Sequence, residues 1–92
     1  MIISFTDKDT EELFRTGRNR RFARIARVAL RKLIQMNSAG LLSDLSVPPG
    51  NRLEALKGKL DGFHSIRVND QWRIIFRWTD SGPEEVAIVD YH

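Results

Sequence analysis

Phe63-His64-Ser65-Ile66-Arg67-Val68-Asn69-Asp70-Gln71-Trp72-Arg73-Ile74-Ile75-Phe76-Arg77-Trp78 is the stretch that decides the fold. Two segments rich in β-branched and aromatic residues flank a short polar connection, the pattern of an antiparallel hairpin. A two-residue connection at Asn69-Asp70 would pair Arg67 with Trp72 and Ile66 with Arg73, mixing apolar and basic groups on each face. A three-residue connection pairs Val68 with Trp72, Arg67 with Arg73 and Ile66 with Ile74. Because side chains alternate between faces, only the second register segregates them. It predicts one face of Ile66, Val68, Trp72, Ile74, Phe76 and Trp78, and a second of Ser65, Arg67, Arg73, Ile75 and Arg77.

Working outward, Asp80-Ser81-Gly82-Pro83 is a turn, and Glu85 to Tyr91 reads as the next antiparallel strand. On the other side Arg52 to Lys57 is a weaker strand ended by Lys57-Gly58. Leu41 to Asn51, with Pro48-Pro49-Gly50, reads as a loop. Toward the N-terminus, Ile2 to Phe5 is a short strand. Asp7 or Thr6 then caps a helix that carries Asp9, Glu11 and Glu12 near its positive end and breaks at Thr16-Gly17. A second helix is expected from about Asn19 to Met36. Its apolar face holds Phe22, Ile25, Ala26, Ala29, Leu33 and Met36; Arg20, Arg24, Arg27 and Arg31 form a ladder opposite. The expected architecture is α+β: an N-terminal strand and an αα-hairpin packed on one face of a small, mainly antiparallel sheet. Residues 1–92 read as one domain with one core.

Eleven of the fifteen basic residues are arginine, eight basic residues fall between Arg15 and Lys32, and no acid lies between Glu12 and Asp44. Arginine's planar fork suits phosphate, so nucleic acid or an acidic protein is the indicated class of partner. No membrane span is expected, the apolar runs being far shorter than the roughly 20 residues a span needs. The N-terminus lacks the basic and apolar regions of a signal peptide. With no cysteine, thiolate chemistry and cysteine-based metal sites are excluded. Two histidines without metal-ligand spacing indicate no metal and no cofactor.

Chemistry concentrates in two places. Arg67 and Arg73 sit directly opposite each other, an unfavourable pairing that an anion between them would relieve. Lys57 and the terminal Asp90-Tyr91-His92 can lie nearby. Cations, a proton-transferring group and an aromatic platform are what metal-free RNA cleavage needs: help for the 2′-hydroxyl as it attacks phosphorus, charge stabilisation, and a proton for the leaving 5′-oxygen. The bland alternative is a solvated sheet face with a polar tail. His64 reads as structural, and Glu54 as a surface residue of a weak strand.

The series Asn51-Arg52-Leu53-Glu54-Ala55-Leu56-Lys57-Gly58, then Gly62-Phe63-His64-Ser65-Ile66-Arg67-Val68, then Trp72-Arg73-Ile74-Ile75-Phe76, then Asp90-Tyr91-His92, resembles the HigB branch of the RelE/ParE toxin superfamily over nearly the whole chain. The resemblance implies a RelE-like fold and the toxin of a type II toxin–antitoxin pair. It implies a bacterial, cytoplasmic ribonuclease that enters the ribosomal A site and cuts mRNA without metal. The implied partners are a HigA-like helix-turn-helix antitoxin, the 70S ribosome with its mRNA, and operator DNA through the antitoxin complex only. Carried onto this chain, the catalytic positions are Lys57, Arg73, Asp90, Tyr91 and His92. Arg67, Glu54 and the ladder Arg20, Arg24, Arg27 and Arg31 would contact substrate. Glu54 stands where several HigB toxins have histidine; a carboxylate cannot supply that positive charge, though it could act as a base. Two alternatives are a ParE-type inhibitor of DNA gyrase, which tends to lack this polar set, and a nucleic-acid-binding module that cuts nothing.

Overall fold

The computed structural model describes residues 1–91; His92 lies outside the described residues. Helices α1 (Lys8–Thr16) and α2 (Ala26–Ser38) precede strands β1 (Glu54–Ala55), β2 (Phe63–Arg67), β3 (Trp72–Thr79) and β4 (Gly82–Asp90). The strands form one antiparallel sheet in the order β1-β2-β3-β4. The β2–β3 register is the three-residue one, with Arg67 opposite Arg73 and Ile66 opposite Ile74. Asn69 closes the turn: its side-chain oxygen accepts from the backbone N–H groups of Gln71 and Trp72, each at 2.8 Å. Ile66, Val68, Ile74 and Phe76 are consequently buried, and Trp72 and Trp78 pack against the same core.

Asp7 caps α1, its carboxylate accepting from Thr10 N–H at 2.6 Å. Gly17, at φ 78°, ends the helix by returning its N–H to the Leu13 carbonyl, a left-handed cap that glycine adopts without steric cost. The second helix starts seven residues later than its periodicity suggests. Residues 21–25 form turns, with Ala23 N–H reaching Arg20 O and Ile25 N–H reaching Phe22 O. The cause is electrostatic: Arg18, Arg20, Arg21 and Arg24 would crowd the positive end of a longer helix. Asn19 is instead tied to Asp9 and Glu12 of α1, and Arg21 lies over the rings of Phe22 and Trp72. Phe22 and Ile25 still reach the core with Ala29, Leu33 and Met36, so the apolar expectation survives the loss of regular helix. The arginines do not form one ladder: Arg27 and Arg31 ride on α2, whereas Arg20 and Arg24 project from the turns.

Other boundaries move for local reasons. The N-terminal strand contracts to a single parallel bridge between Phe5 and Val86. Strand β1 is only two residues, because Arg52 adopts a left-handed conformation (φ 46°, ψ 55°) and Lys57 opens a short 3-10 turn. Within the expected loop, Leu42–Ser46 and Pro49–Asn51 also form 3-10 turns. Strand β4 begins at Gly82, where any Cβ would collide with the Met1 carbonyl oxygen. A bulge between Ile75 and Arg77 interrupts the β3–β4 pairing, where Glu85 takes a positive φ of 53°.

Helix α1 is pinned to the sheet by one buried polar contact. Beyond the Phe5–Val86 bridge the N-terminal segment leaves β4, and the Ile88 N–H donates to the Thr10 hydroxyl at 3.0 Å instead. Thr10 is fully buried. Thr10→Val keeps the shape and removes the acceptor, so it should lower stability by about 1–3 kcal/mol, read as a fall in the urea midpoint at unchanged slope. An unchanged midpoint would show that this contact does not stabilise the fold.

Candidate active site

The hairpin register places Arg67 and Arg73 side by side, and β4 adds Val89 opposite Arg73. Two residues on, alternation returns Tyr91 to the same face. Its N–H donates to the Gln71 carbonyl at 2.6 Å, extending the pairing past the strand end. The Tyr91 ring lies over Arg73, 5.1 Å from the guanidinium carbon, and remains 47% exposed.

Arg73 is the centre of this face and is only 7% exposed. Its Nε donates to Ser65 Oγ at 2.8 Å, and Nη2 donates to the Arg52 carbonyl at 2.8 Å. Nη2 also lies 3.1 Å from Glu54 Oε1. Each holder follows from the topology: Ser65 pairs with Glu54 across β1–β2, and the left-handed turn at Arg52 swings its carbonyl toward the sheet. A guanidinium fixed at two nitrogens cannot wander, and its Nη1 has no hydrogen-bond partner among the described residues. Such a group can meet an oxyanion without reorganising first.

The repulsion between Arg67 and Arg73 is answered within the chain. Arg67 pairs with Asp70 of the turn, and Arg73 pairs with Glu54. The juxtaposition therefore does not by itself demand a bound anion. Nor is the face open where Arg73 sits: Ser65 is fully buried beside it. Arg77 lies apart, over Phe63 and near Glu84 and Glu85.

The remaining candidates separate. Glu54 belongs to the Arg73 cluster. Lys57 is exposed beyond β1, with no hydrogen bond or ion pair to Arg73. Asp90 pairs with Trp72 on the opposite face and accepts from Gln71 Nε2 at 3.0 Å, so the terminal triplet does not present all its groups to one site. His92 lies outside the described residues. Arg20 and Arg24 line a cleft of about 360 Å³ with Arg21, Gln71 and Trp72. A larger hollow of about 490 Å³ lies between the end of α1 and the following turns, and shares no residue with the Arg73 cluster. Among the described residues no three His, Cys, Asp or Glu side chains gather as a metal site, and no helix is long and apolar enough to cross a membrane.

Three contributors escaped the sequence reading: the Arg52 carbonyl, Asn51 and Lys32. The Lys32 ammonium donates to Asn51 Oδ1 at 2.7 Å. Burial, reinforced by Arg31 and Arg67, holds its pKa below the usual lysine value. The only advance signal was the Pro-Pro-Gly-Asn sequence, which marks a tight turn without saying what the turn supports.

The family described as the RelE-like toxin of the type II toxin–antitoxin system HigB matches residues 3–92. The chain belongs to the HigB-like toxins. It is 43% identical to Toxin HigB-1 of Vibrio cholerae serotype O1 over 82 residues, 87% of this chain and 86% of that one. An uncharacterised protein of Haemophilus influenzae is 38% identical over 55 residues, covering 60% of this chain and 54% of its own. The fold is shared with the Staphylococcus aureus YoeB–YefM complex, at TM-score 0.57 and 19% identity over 100% of this chain and 98% of that one. It is also shared with the YoeB/ParE toxin of Agrobacterium tumefaciens, at TM-score 0.51 and 23% identity over 99% and 98% of the two chains. The α+β architecture of this HigB-like toxin, two helices against a four-stranded antiparallel sheet, is thus that of the RelE/YoeB-type toxins.

Proposed function

We propose that this HigB-like toxin is a ribosome-dependent endoribonuclease that cuts translated mRNA in the A site and so halts translation. The observation that carries this reading is the buried Arg73 guanidinium, aimed by Ser65, Arg52 and Glu54 beneath the half-exposed Tyr91 ring. The reaction is attack of a 2′-hydroxyl oxygen on the adjacent phosphorus. The P–O5′ bond breaks, a cyclic phosphate forms, and the 5′-oxygen leaves with a proton. Arg73 stabilises the charge that builds on the phosphoryl oxygens, with Arg67 beside it and Lys57 reaching in from the edge. Tyr91 stacks on a base that the ribosome presents unpaired. Proton transfer falls to His92, and Asp90, held by Gln71, anchors the strand end that carries both terminal residues. Glu54 keeps the guanidinium oriented until phosphate arrives.

Arg20, Arg24, Arg27 and Arg31 would hold the ribosomal RNA backbone. Among the described residues none of the four has an ion-pair partner, so their charge is available to phosphate, and affinity should fall with salt. The other assigned partner is a HigA-like antitoxin, through which alone operator DNA is engaged; one fold neighbour is itself a complex, YoeB–YefM. A ribosomal target places the protein in the bacterial cytoplasm.

Cleavage of mRNA in a reconstituted translation system tests the site. Arg73→Ala should lower the rate by about 10²–10³-fold. Tyr91→Phe keeps the ring and should keep activity, whereas Tyr91→Ala should lose about 1–3 kcal/mol of stacking, roughly 5- to 150-fold. Full cleavage by Arg73→Ala would sink the assignment. Charge reversal at Arg24 and Arg27 should weaken ribosome binding and flatten its salt dependence; unchanged binding would refute the RNA-holding role.

A further inference from the structure

One of the bonds that aims Arg73 ends on a main-chain atom, the Arg52 carbonyl. The residue that precedes Arg52 in the chain is Asn51, which is completely buried. Its side-chain nitrogen donates to the carbonyls of Leu45 and Val47, at 3.1 and 3.3 Å, and to Gln35 Oε1 at 3.2 Å. Its side-chain oxygen accepts from Lys32 at 2.7 Å. Lys32 is 9% exposed, and among the described residues no carboxylate pairs with it. Burying an ammonium opposite a neutral amide is costly, and an apolar side chain of the same length would pack there without that cost. The lysine therefore needs a reason beyond filling space.

We infer that Lys32 and Asn51 are positioning residues for Arg73: the Nζ–Oδ1 contact sets the segment from Pro49 to Glu54, and this segment delivers both the Arg52 carbonyl and the Glu54 carboxylate to the guanidinium. The chain of contacts is continuous. Helix α2 holds Asn51 through Lys32 and Gln35. Asn51 precedes the left-handed Arg52, and two residues later Glu54 enters β1 opposite Ser65. A misplacement of about 1 Å far from the chemistry can cost on the order of 10²-fold in rate. The consequence for catalysis rests on the proposed role of Arg73; the geometric consequence does not.

Two readouts on the full chain separate them. The first is hydrogen exchange of the Arg73 Nε–H, followed by NMR, with the Arg77 Nε–H as internal reference. The second is single-turnover cleavage of mRNA on the ribosome. Lys32→Met, which keeps length and removes the donor, should speed Arg73 exchange and slow cleavage by roughly 10-fold or more, with Arg77 exchange and ribosome binding unchanged. Lys32→Arg, which keeps a donor for Asn51, should preserve both. Should the methionine variant fail to fold, Lys32→Gln, polar but too short to reach Asn51, should give the same losses. Unchanged Arg73 exchange in a folded Lys32 variant without the donor overturns the inference. Faster exchange together with full cleavage by both that variant and Arg73→Ala upholds the positioning and overturns the proposed function instead.

Discussion

The closure of the β2–β3 turn by the Asn69 side chain fixes one register, and the rest of the molecule depends on it. With Val68 opposite Trp72, Ile66 and Ile74 face the helices and Arg67 and Arg73 face away. A slip of one residue would turn isoleucines to solvent and arginines into the core, a cost of several buried side chains at once. The same register sets where β1 and β4 attach, because each pairs with one member of the hairpin. Ser65 thereby meets Glu54 on one side, and Arg73 meets Val89, and then Tyr91, on the other.

From that constraint the candidate site acquires its character. A guanidinium on a sheet face would ordinarily be mobile and hydrated. Arg73 is instead held in place and largely buried, because a hydroxyl, a main-chain carbonyl and a carboxylate converge on it and an aromatic ring lies over it. Such a group has already lost its conformational freedom in the folded protein, so that cost is not levied when substrate binds. The guanidinium is held partly by a carboxylate, Glu54, with which an anion at the proposed site would compete. This balance distinguishes a held cation from a merely concentrated positive surface such as that of Arg20, Arg24, Arg27 and Arg31.

Much of this was legible in the sequence because it is governed by short-range rules. Alternation gave the hairpin faces and the Arg67–Arg73 pairing. Helix periodicity found Phe22, Ile25, Ala29, Leu33 and Met36, although the helix itself starts only at Ala26; burial was read correctly where backbone geometry was not, since charge repulsion acts on the first turn and not on the apolar stripe. The terminal triplet divides, with Tyr91 over Arg73 and His92 outside the described residues. Its residue types suggested one wall of a site, yet strand alternation sends Asp90 and Tyr91 to different faces. The Arg52 carbonyl and the Lys32–Asn51 contact were invisible, because they join segments far apart in sequence through a left-handed residue that no local pattern announces. Family motifs identified the HigB-like fold from the whole series of elements, which no single residue could have done.

Arg73 is proposed to stabilise a phosphate under attack from its neighbouring 2′-hydroxyl. The most direct test is translation of an mRNA carrying a single 2′-deoxy nucleotide at the cleavage site, alongside the all-ribose message. Cleavage of the ribose message alone, leaving a 5′-hydroxyl on the downstream fragment, is the predicted result. Equal cutting at the deoxy nucleotide would contradict the claim.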